Sequence, residues 1–219
     1  MPAHSAAPLV IYGTPLSGHV HRVQLLLRML GLPHEFVEAG AAVRATAEFR
    51  ALNPLGQIPV LVDGDVVVPD SNASLLYLAK RYDQGGTWLP EEPAAAARVQ
   101  RWLSVAAGEV RHGPASARMV VLWNLQGHLP LAREISARLL PFMDQHLADR
   151  RWLADEAGAA MAHPTIADLA CYSYVAHAPE GGISLDGYEH LNAWLRRVEA
   201  LPAFQAMPAS PLASPKPAA

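Results

Sequence analysis

Apolar positions change their rhythm along this chain, and the change divides it. The run "PLVIYG", ending at Gly13, is continuous enough for a buried strand. A turn carrying Thr14, Pro15 and Ser17 follows, and then "HVHRVQLLLRMLGL", in which Val20, Val23, Leu27 and Leu30 share one helical face. Gly31 closes that helix and "PHEFVEA" returns as a second strand. Strand, helix and strand at this spacing form a βαβ unit, so the two strands should be parallel. Two short apolar runs, "IPVLVDG" and "DVVVPD", meet at Asp63-Gly64, a dipeptide that favours a hairpin. A further helix, "SNASLLYLAKRY", starts beyond Pro69. The order β-α-β, then β-β-α, describes a small mixed sheet with helices packed on it.

The stretch "QGGTWLPEEP" is rich in glycine and proline and reads as a linker over 84–93. Beyond it the pattern is helical, over about 94–110, 129–147, 166–176 and 188–200. The last helix sets Leu191, Trp194, Leu195 and Val198 at core spacing. Thr165-Ile-Ala-Asp168 fits a capping box ahead of an apolar run. The expected organisation is an α/β domain over 8–83, a linker, an all-helical domain over 94–205, and a low-complexity, disordered tail over 206–219. The stretch "ADEAGAAMAHPT", 154–165, is longer than a compact inter-helix link needs.

Composition narrows the function. Of 219 residues 51% are apolar and the net charge is −3, which suits a globular protein with a good core and lacks the basic stripe of a nucleic-acid binder. The single cysteine, Cys171, excludes an internal disulfide framework and any CxxC motif, and its apolar setting reads as a buried, inert thiol. The start "MPAHSAAP" lacks the basic and apolar regions of a secretory signal, and no apolar run reaches the length of a membrane span. Cytoplasm, with no membrane partner, is the expectation. His19 and His21 are two apart and do not share a helix face, so no metal pair is expected.

Three polar patches lie where a strand yields to a turn or helix, the places where ligands tend to bind in α/β sheets. They are Ser17; Gln57 and Ile58 ahead of Pro59 in "NPLGQIPVL"; and Asp70 and Ser71 in "PDSNAS". Helix capping alone would also explain Ser17 and Asp70. No G-x-S-x-G, dinucleotide-binding or P-loop glycine pattern accompanies them.

Together "PLSGHVHRV", "NPLGQIPVL", "PDSNASLLYL" and "PTIADLACYSYV", in that order, resemble the glutathione transferase family, in its serine-type, bacterial-like cytosolic branch. The resemblance implies a thioredoxin-like first domain and an all-helical second one. It implies that Ser17, five residues before Arg22-Val23, donates a hydrogen bond to the glutathione sulfur, with Tyr12 as the rival group. It makes Pro59 a cis-proline, which exposes the main chain of Ile58 to the cysteinyl part of the peptide. Asp70 and Ser71 would hold the γ-glutamyl end, Gln57 would add an amide contact, and Arg44 would reach the glycine carboxylate. The electrophile pocket would be walled by the second domain around 110–124, with Met119, Trp123 and Trp102 as candidates, although core packing also accounts for each. Glutathione as co-substrate with no other cofactor, a small hydrophobic electrophile, a homodimer and a role in detoxification complete what the resemblance implies. Two alternatives stay open: glutathione-dependent reduction of a disulfide or peroxide, and glutathione or partner binding without turnover.

Overall fold

Alternation along the first strand decides its place in the sheet. In a computed structural model of the chain, describing residues 8–125, 127–158 and 163–210, β1 (Leu9–Gly13) buries Leu9, Ile11 and Gly13. It pairs in parallel with β2 (His34–Glu38) and antiparallel with β3 (Val60–Asp63), and β4 (Val66–Pro69) completes the order β2-β1-β3-β4. Ile11 stands opposite Phe36 on one side and Leu61 on the other. The crossover that a parallel pair requires is α1 (Gly18–Met29), which buries Val20, Val23, Leu26 and Leu27.

The hairpin falls one residue later than the Asp63-Gly64 pattern suggests. Asp63 is the last residue of β3 and pairs with Val66, so the loop is Gly64 and Asp65. Asp63 is kept in the strand by its carboxylate, which accepts the hydroxyls of Tyr77 (2.7 Å) and Tyr82. Two short helices, α2 (Ala41–Arg44) and α3 (Ala47–Leu52), fill the path from β2 to β3. Between them only Phe49 is buried, so no periodic apolar face announces them. The sheet is then covered by α4 (Ser71–Tyr82).

The second half opens with α5 (Pro93–Val105), where Glu92 caps the amides of Ala94 (2.8 Å) and Ala95 (2.6 Å). The helix expected to stop near 110 does not stop. It continues as a π-helical segment (Ala106–Ala115) into α6 (Ser116–Trp123) and ends where Asn124 turns left-handed at φ 49°. Pro114 sits inside the π segment, where Ser116 Oγ donates to the Arg111 carbonyl at 3.1 Å. There the Ser116 main chain donates to the Gly113 carbonyl while its hydroxyl serves the Arg111 carbonyl.

After α7 (Leu129–Leu147), the helix α8 (Ile166–Ala176) forms the axis of the molecule, with Ile166 to Val175 all buried. The capping box is formed, and its acid does more than start a helix. Asp168 accepts from Thr165 N (2.9 Å), from Leu153 N (3.0 Å) and from Trp194 Nε1 (2.9 Å), so it also ties in the preceding loop and α9 (Glu189–Glu199). Burial pushes its carboxyl upward while these donors pull it down. The described part of the 154–165 stretch is held by Asp155, which accepts from Arg151 N and Trp152 N, and by Arg98 Nε on the Ala154 carbonyl (3.0 Å). Positions 159–162 lie outside the described residues.

The tail expected to be disordered from 206 is built in at its start. Met207 is 3% exposed, and Ser210 N donates to Glu180 Oε1 at 3.1 Å. Its apolar anchor and this side-chain carboxylate outweigh the low-complexity composition; residues 211–219 lie outside the described part. Among the described residues no helix is long and apolar enough to cross a membrane.

His21 pins α1 against this C-terminal segment. Its Nε2 donates to the Gln205 carbonyl (2.8 Å), which leaves Nδ1 to accept from Ser173 Oγ (2.9 Å) in the neutral ring. Burial is the main force lowering its pKa to about 4, against the opposing pull of the Gln205 carbonyl. A base with a folded pKa below its unfolded value of about 6.5 loses stability as pH falls through that window, because the unfolded chain takes up the proton first. The unfolding free energy should therefore drop by up to about 3 kcal/mol between pH 6.5 and 4 from this group. Denaturant melts across that range should show a shallower slope for His21→Asn, and an unchanged slope would contradict the assignment.

Candidate active site

The site begins with the turn that ends β1. Ser17 N donates to the Thr14 carbonyl (3.1 Å), closing the turn, and the Ser17 carbonyl accepts His21 N (2.9 Å), opening α1. Ser17 Oγ caps Val20 N at a long 3.4 Å. It accepts in that bond, so the hydroxyl keeps its own proton to donate elsewhere. The next residue is glycine, Gly18, and a Cβ there would lie 2.9 Å from ring atoms of Tyr174 on α8, so the ring would have to shift. The N-terminus of α1, with its unpaired amides and positive dipole end, is thereby pressed to the seam between the two halves.

The loop before β3 is shaped by Asn53, whose Nδ2 donates to the Gln57 carbonyl (2.9 Å) and whose Oδ1 accepts Leu55 N (3.1 Å). Gln57 is exposed, Pro59 is buried, and the Ile58–Pro59 peptide bond is cis. Ile58 precedes Val60, the first residue of β3 paired with β1.

At the start of α4, Asp70 caps Asn72 N (2.8 Å) and Ala73 N (2.9 Å) through Oδ1 alone. Its backbone has φ +82°, a strained conformation for a residue with a side chain, of a kind that gathers at ligand clamps. Ser71 is buried; its Oγ accepts from Arg22 Nη1 (3.4 Å) and lies 3.3 Å from His19 Nδ1. Asn72 Oδ1 accepts from the same Arg22 nitrogen (2.9 Å), and its Nδ2 reaches the Leu103 carbonyl (3.0 Å).

These patches converge on one cavity of about 500 Å³. Ser17, Arg44, Gln57, Ile58, Pro59, Asp70 and Ser71 all line it, and Met119 joins them from α6. The second half also contributes Ala107, Arg111 and Tyr174. Arg22 reaches the cavity from α1 although it is 1% exposed. Its Nε and Nη2 are buried without a partner, as is Nε of Arg44. Burial lowers the Arg22 pKa, opposed by Tyr174, Cys171 and Asp70, and arginine stays charged even so. His19 packs edge-on to Tyr174 with ring centroids 4.9 Å apart. Burial, then Arg22 and Arg111, hold it well below the usual histidine pKa, so it is neutral near pH 7.

Two expected wall residues lie elsewhere. Trp102 is 1% exposed, stacks on Phe142 at 5.6 Å and lines a separate, smaller cavity with Arg98 and His146. It is core because the helical turn that carries Ala107 and Arg111 to the site points residue 102 away. Trp123, at the end of α6, is exposed under the Arg118 guanidinium (5.0 Å) and does not line the site cavity. Tyr12 lies in a small apolar cluster with Phe49 and Val60, also outside it. Cys171 is buried, with its thiol pushed up to about 12 by burial. Among the described residues no group of His, Cys, Asp or Glu is placed to hold a metal ion.

Comparison with known proteins agrees with the fold, a mixed α/β first half and a helical second half. The family model described as the glutathione S-transferase N-terminal domain matches residues 11–87, and that of the C-terminal domain matches residues 129–202. Glutathione S-transferase 3 of Zea mays is 37% identical over 213 residues, spanning 91% of this chain and 92% of the relative. The chain belongs to the glutathione S-transferase family. Glutathione S-transferase theta-1 of Bos taurus is 30% identical, covering 88% of this chain and 82% of its own. A glutathione S-transferase structure from Xanthobacter autotrophicus superposes with a TM-score of 0.79 at 35% identity, covering 91% of this chain and 97% of that one. The theta-class structure from Xanthomonas axonopodis, solved with glutathione bound, has a TM-score of 0.78 at 26% identity, covering 90% and 95%.

Sequence reasoning missed several residues of this glutathione S-transferase family cavity: His19, Arg22, Asn53, Asn72, Arg111 and Tyr174. Arg22 carried a usable signal, a charge set between Val20 and Val23 on a buried helix face. The contact at Gly18 gives a direct test of the seam. Gly18→Ala should cost roughly 1–3 kcal/mol by overpacking. In a Tyr174→Leu background the same change should cost clearly less, read from denaturant midpoints. Equal costs in both backgrounds would show that the ring is not what Gly18 avoids.

Proposed function

We propose that this chain is a glutathione transferase that adds the glutathione thiolate to a small, largely apolar electrophile, with Ser17 as the group that stabilises the thiolate. One observation carries the reading. The cavity lining holds three arginines, Arg22, Arg44 and Arg111, against one carboxylate, Asp70. Glutathione with its thiol ionised brings two carboxylates, one thiolate and one ammonium. That is the opposite balance, and the orphaned donors of Arg22 and Arg44 call for anionic partners. In this reading Asp70 meets the γ-glutamyl ammonium with Oδ2, the oxygen not used in capping. Ser71 and the α4 N-terminus take the adjacent carboxylate, Ile58 pairs with the cysteinyl main chain, Gln57 adds an amide contact and Arg44 takes the glycine carboxylate.

The sulfur then lies at the N-terminus of α1, where the Ser17 hydroxyl donates to it and the helix dipole favours its charge. The thiolate attacks an electrophilic carbon, a C–S bond forms, the leaving group departs with the bonding pair, and the thiol proton goes to solvent. Ala107, Met119 and the Tyr174 ring offer the electrophile an apolar wall, with Arg111 beside it. No cofactor beyond the co-substrate is needed for this chemistry. Cytoplasmic residence and a homodimer belong to the same reading. What supports the dimer is the exposure of Val66, Val67 and Leu76 on the first half and Leu131 and Phe142 on the second, apolar side chains that an interface would cover.

Stabilising the anion activates sulfur only modestly. Lowering a thiol pKa from about 8.5 by about two units gives roughly 25 times more thiolate at pH 7. The loss of basicity returns about 8-fold, for a net gain near 3-fold. Most of the acceleration must come from holding sulfur and electrophile together.

Ser17→Ala should therefore bind glutathione with similar affinity while the bound thiol's pKa, followed by thiolate absorbance, rises by about two units. Its rate deficit should be largest at low pH, close by about pH 7.6, and reverse above about pH 8.5, where the variant's more basic thiolate reacts up to about 8-fold faster. An unchanged thiol pKa would move the role to another donor. Mass spectrometry of the products separates the chemistries: a thioether conjugate supports transfer, whereas oxidised glutathione would replace it with a reductase reading.

A further inference from the structure

Arg118 is a buried cation outside the cavity lining, at 1% exposure, and it joins three parts of the chain. Its Nε donates to Glu180 Oε2 at 2.6 Å, its Nη2 to Ser210 Oγ at 3.3 Å, and its Nη1 to the Leu16 carbonyl at 2.8 Å. Glu180 in turn accepts Ser210 N through Oε1 at 3.1 Å. The short 3₁₀ turn carrying Glu180 (Ala178–Gly181) is pressed on α6 so closely that a Cβ on Gly181 would lie 2.7 Å from Arg118 N. The guanidinium is thus held by an acid and by the C-terminal segment, while the close backbone contact fixes the turn that carries the acid. Its remaining arm reaches across to the residue before Ser17.

We propose that Arg118 is a positioning residue for the reaction: anchored on Glu180 and Ser210, it holds the Leu16 carbonyl and thereby sets where the Ser17 hydroxyl points. It does not line the cavity and acts only through the 14–17 turn. Gly18 packs on Tyr174 just beyond the turn and the Ser17 carbonyl accepts His21 N at 2.9 Å, but neither contact holds the Leu16 carbonyl. Ser17 Oγ makes only a long bond, accepting Val20 N at 3.4 Å. Within the turn, the main-chain bond is that of Ser17 N to Thr14 O (3.1 Å). A planar guanidinium presents donors in fixed directions, so three separate partners fix its plane, which a lysine ammonium does not reproduce. The proposal also gives the segment around Ser210 a role: it closes the network behind the turn.

The proposal rests on Ser17 as the thiolate-stabilising group, and the test separates the two. The apparent pKa of bound glutathione is measured by thiolate absorbance in wild type, Arg118→Lys, Ser17→Ala and the double variant, with glutathione affinity and thermal stability alongside. Arg118→Lys should raise the thiol pKa by about one unit, a tenfold loss of acidity, with glutathione affinity held within about 3-fold. In the Ser17→Ala background it should add nothing, because the group it positions is gone. Stability loss with an unmoved thiol pKa, or a shift that adds fully to that of Ser17→Ala, would overturn the proposal and leave Ser17 in place. A flat response to Ser17→Ala would remove the Ser17 reading and this one with it. Should Arg118→Lys fail to fold, Ser210→Ala, which removes one bond and no charge, must move the thiol pKa in the same direction, and no movement would overturn the proposal.

Discussion

The site depends on one close approach, that of the Gly18 main chain to the ring of Tyr174. It brings the first turn of α1 onto α8, the most buried helix in the molecule. Helix α1 is also the crossover of the βαβ unit, so sheet and helical half are referenced to one another at the residue after Ser17. Side chains larger than hydrogen cannot occupy that point without displacing a packed aromatic ring. Packing of this density resists gradual deformation, so the hydroxyl is delivered to a fixed place rather than to a range of places.

Around that point the charges are arranged for an anion. Burial and two arginines keep His19 neutral, so the adjacent positive field belongs to Arg22 and Arg111 and does not vary with pH through imidazole titration. Arg22 is fully desolvated with two donors unanswered inside the protein. Such a group is costly unless it is matched, and in the proposed function the anionic co-substrate offsets that cost on binding. The strain at Asp70 fits the same account, since a residue forced to φ +82° persists where the surrounding structure needs its side chain in one place.

How much of this was legible depended on how local each signal was. The βαβ unit, the α4 start and the Thr165–Asp168 box are written in neighbouring residues, and they appear where the sequence places them. The hairpin slid by one residue because Asp63 has partners in Tyr77 and Tyr82, far along the chain. The helix expected to stop near 110 runs on through a π segment that contains Pro114, a continuation no local pattern announces. Trp102 and Met119 look alike as apolar residues on a helix, and only the three-dimensional path of that helix separates core from cavity. The anchoring at Met207 and Ser210 runs against composition, because the partners at Glu180 and Arg118 are supplied by distant elements. The family resemblance brought together what spacing alone left as three unrelated polar patches.

The central claim is that a peptide thiolate is held at the start of α1 by the Ser17 hydroxyl, and a crystal structure of this chain soaked with glutathione tests it most directly. The account predicts the sulfur within about 3.5 Å of Ser17 Oγ, with the γ-glutamyl end at Asp70 and Ser71 and the glycine carboxylate toward Arg44. A peptide lodged outside this cavity, or one lying in it with the sulfur turned away from Ser17, would contradict it.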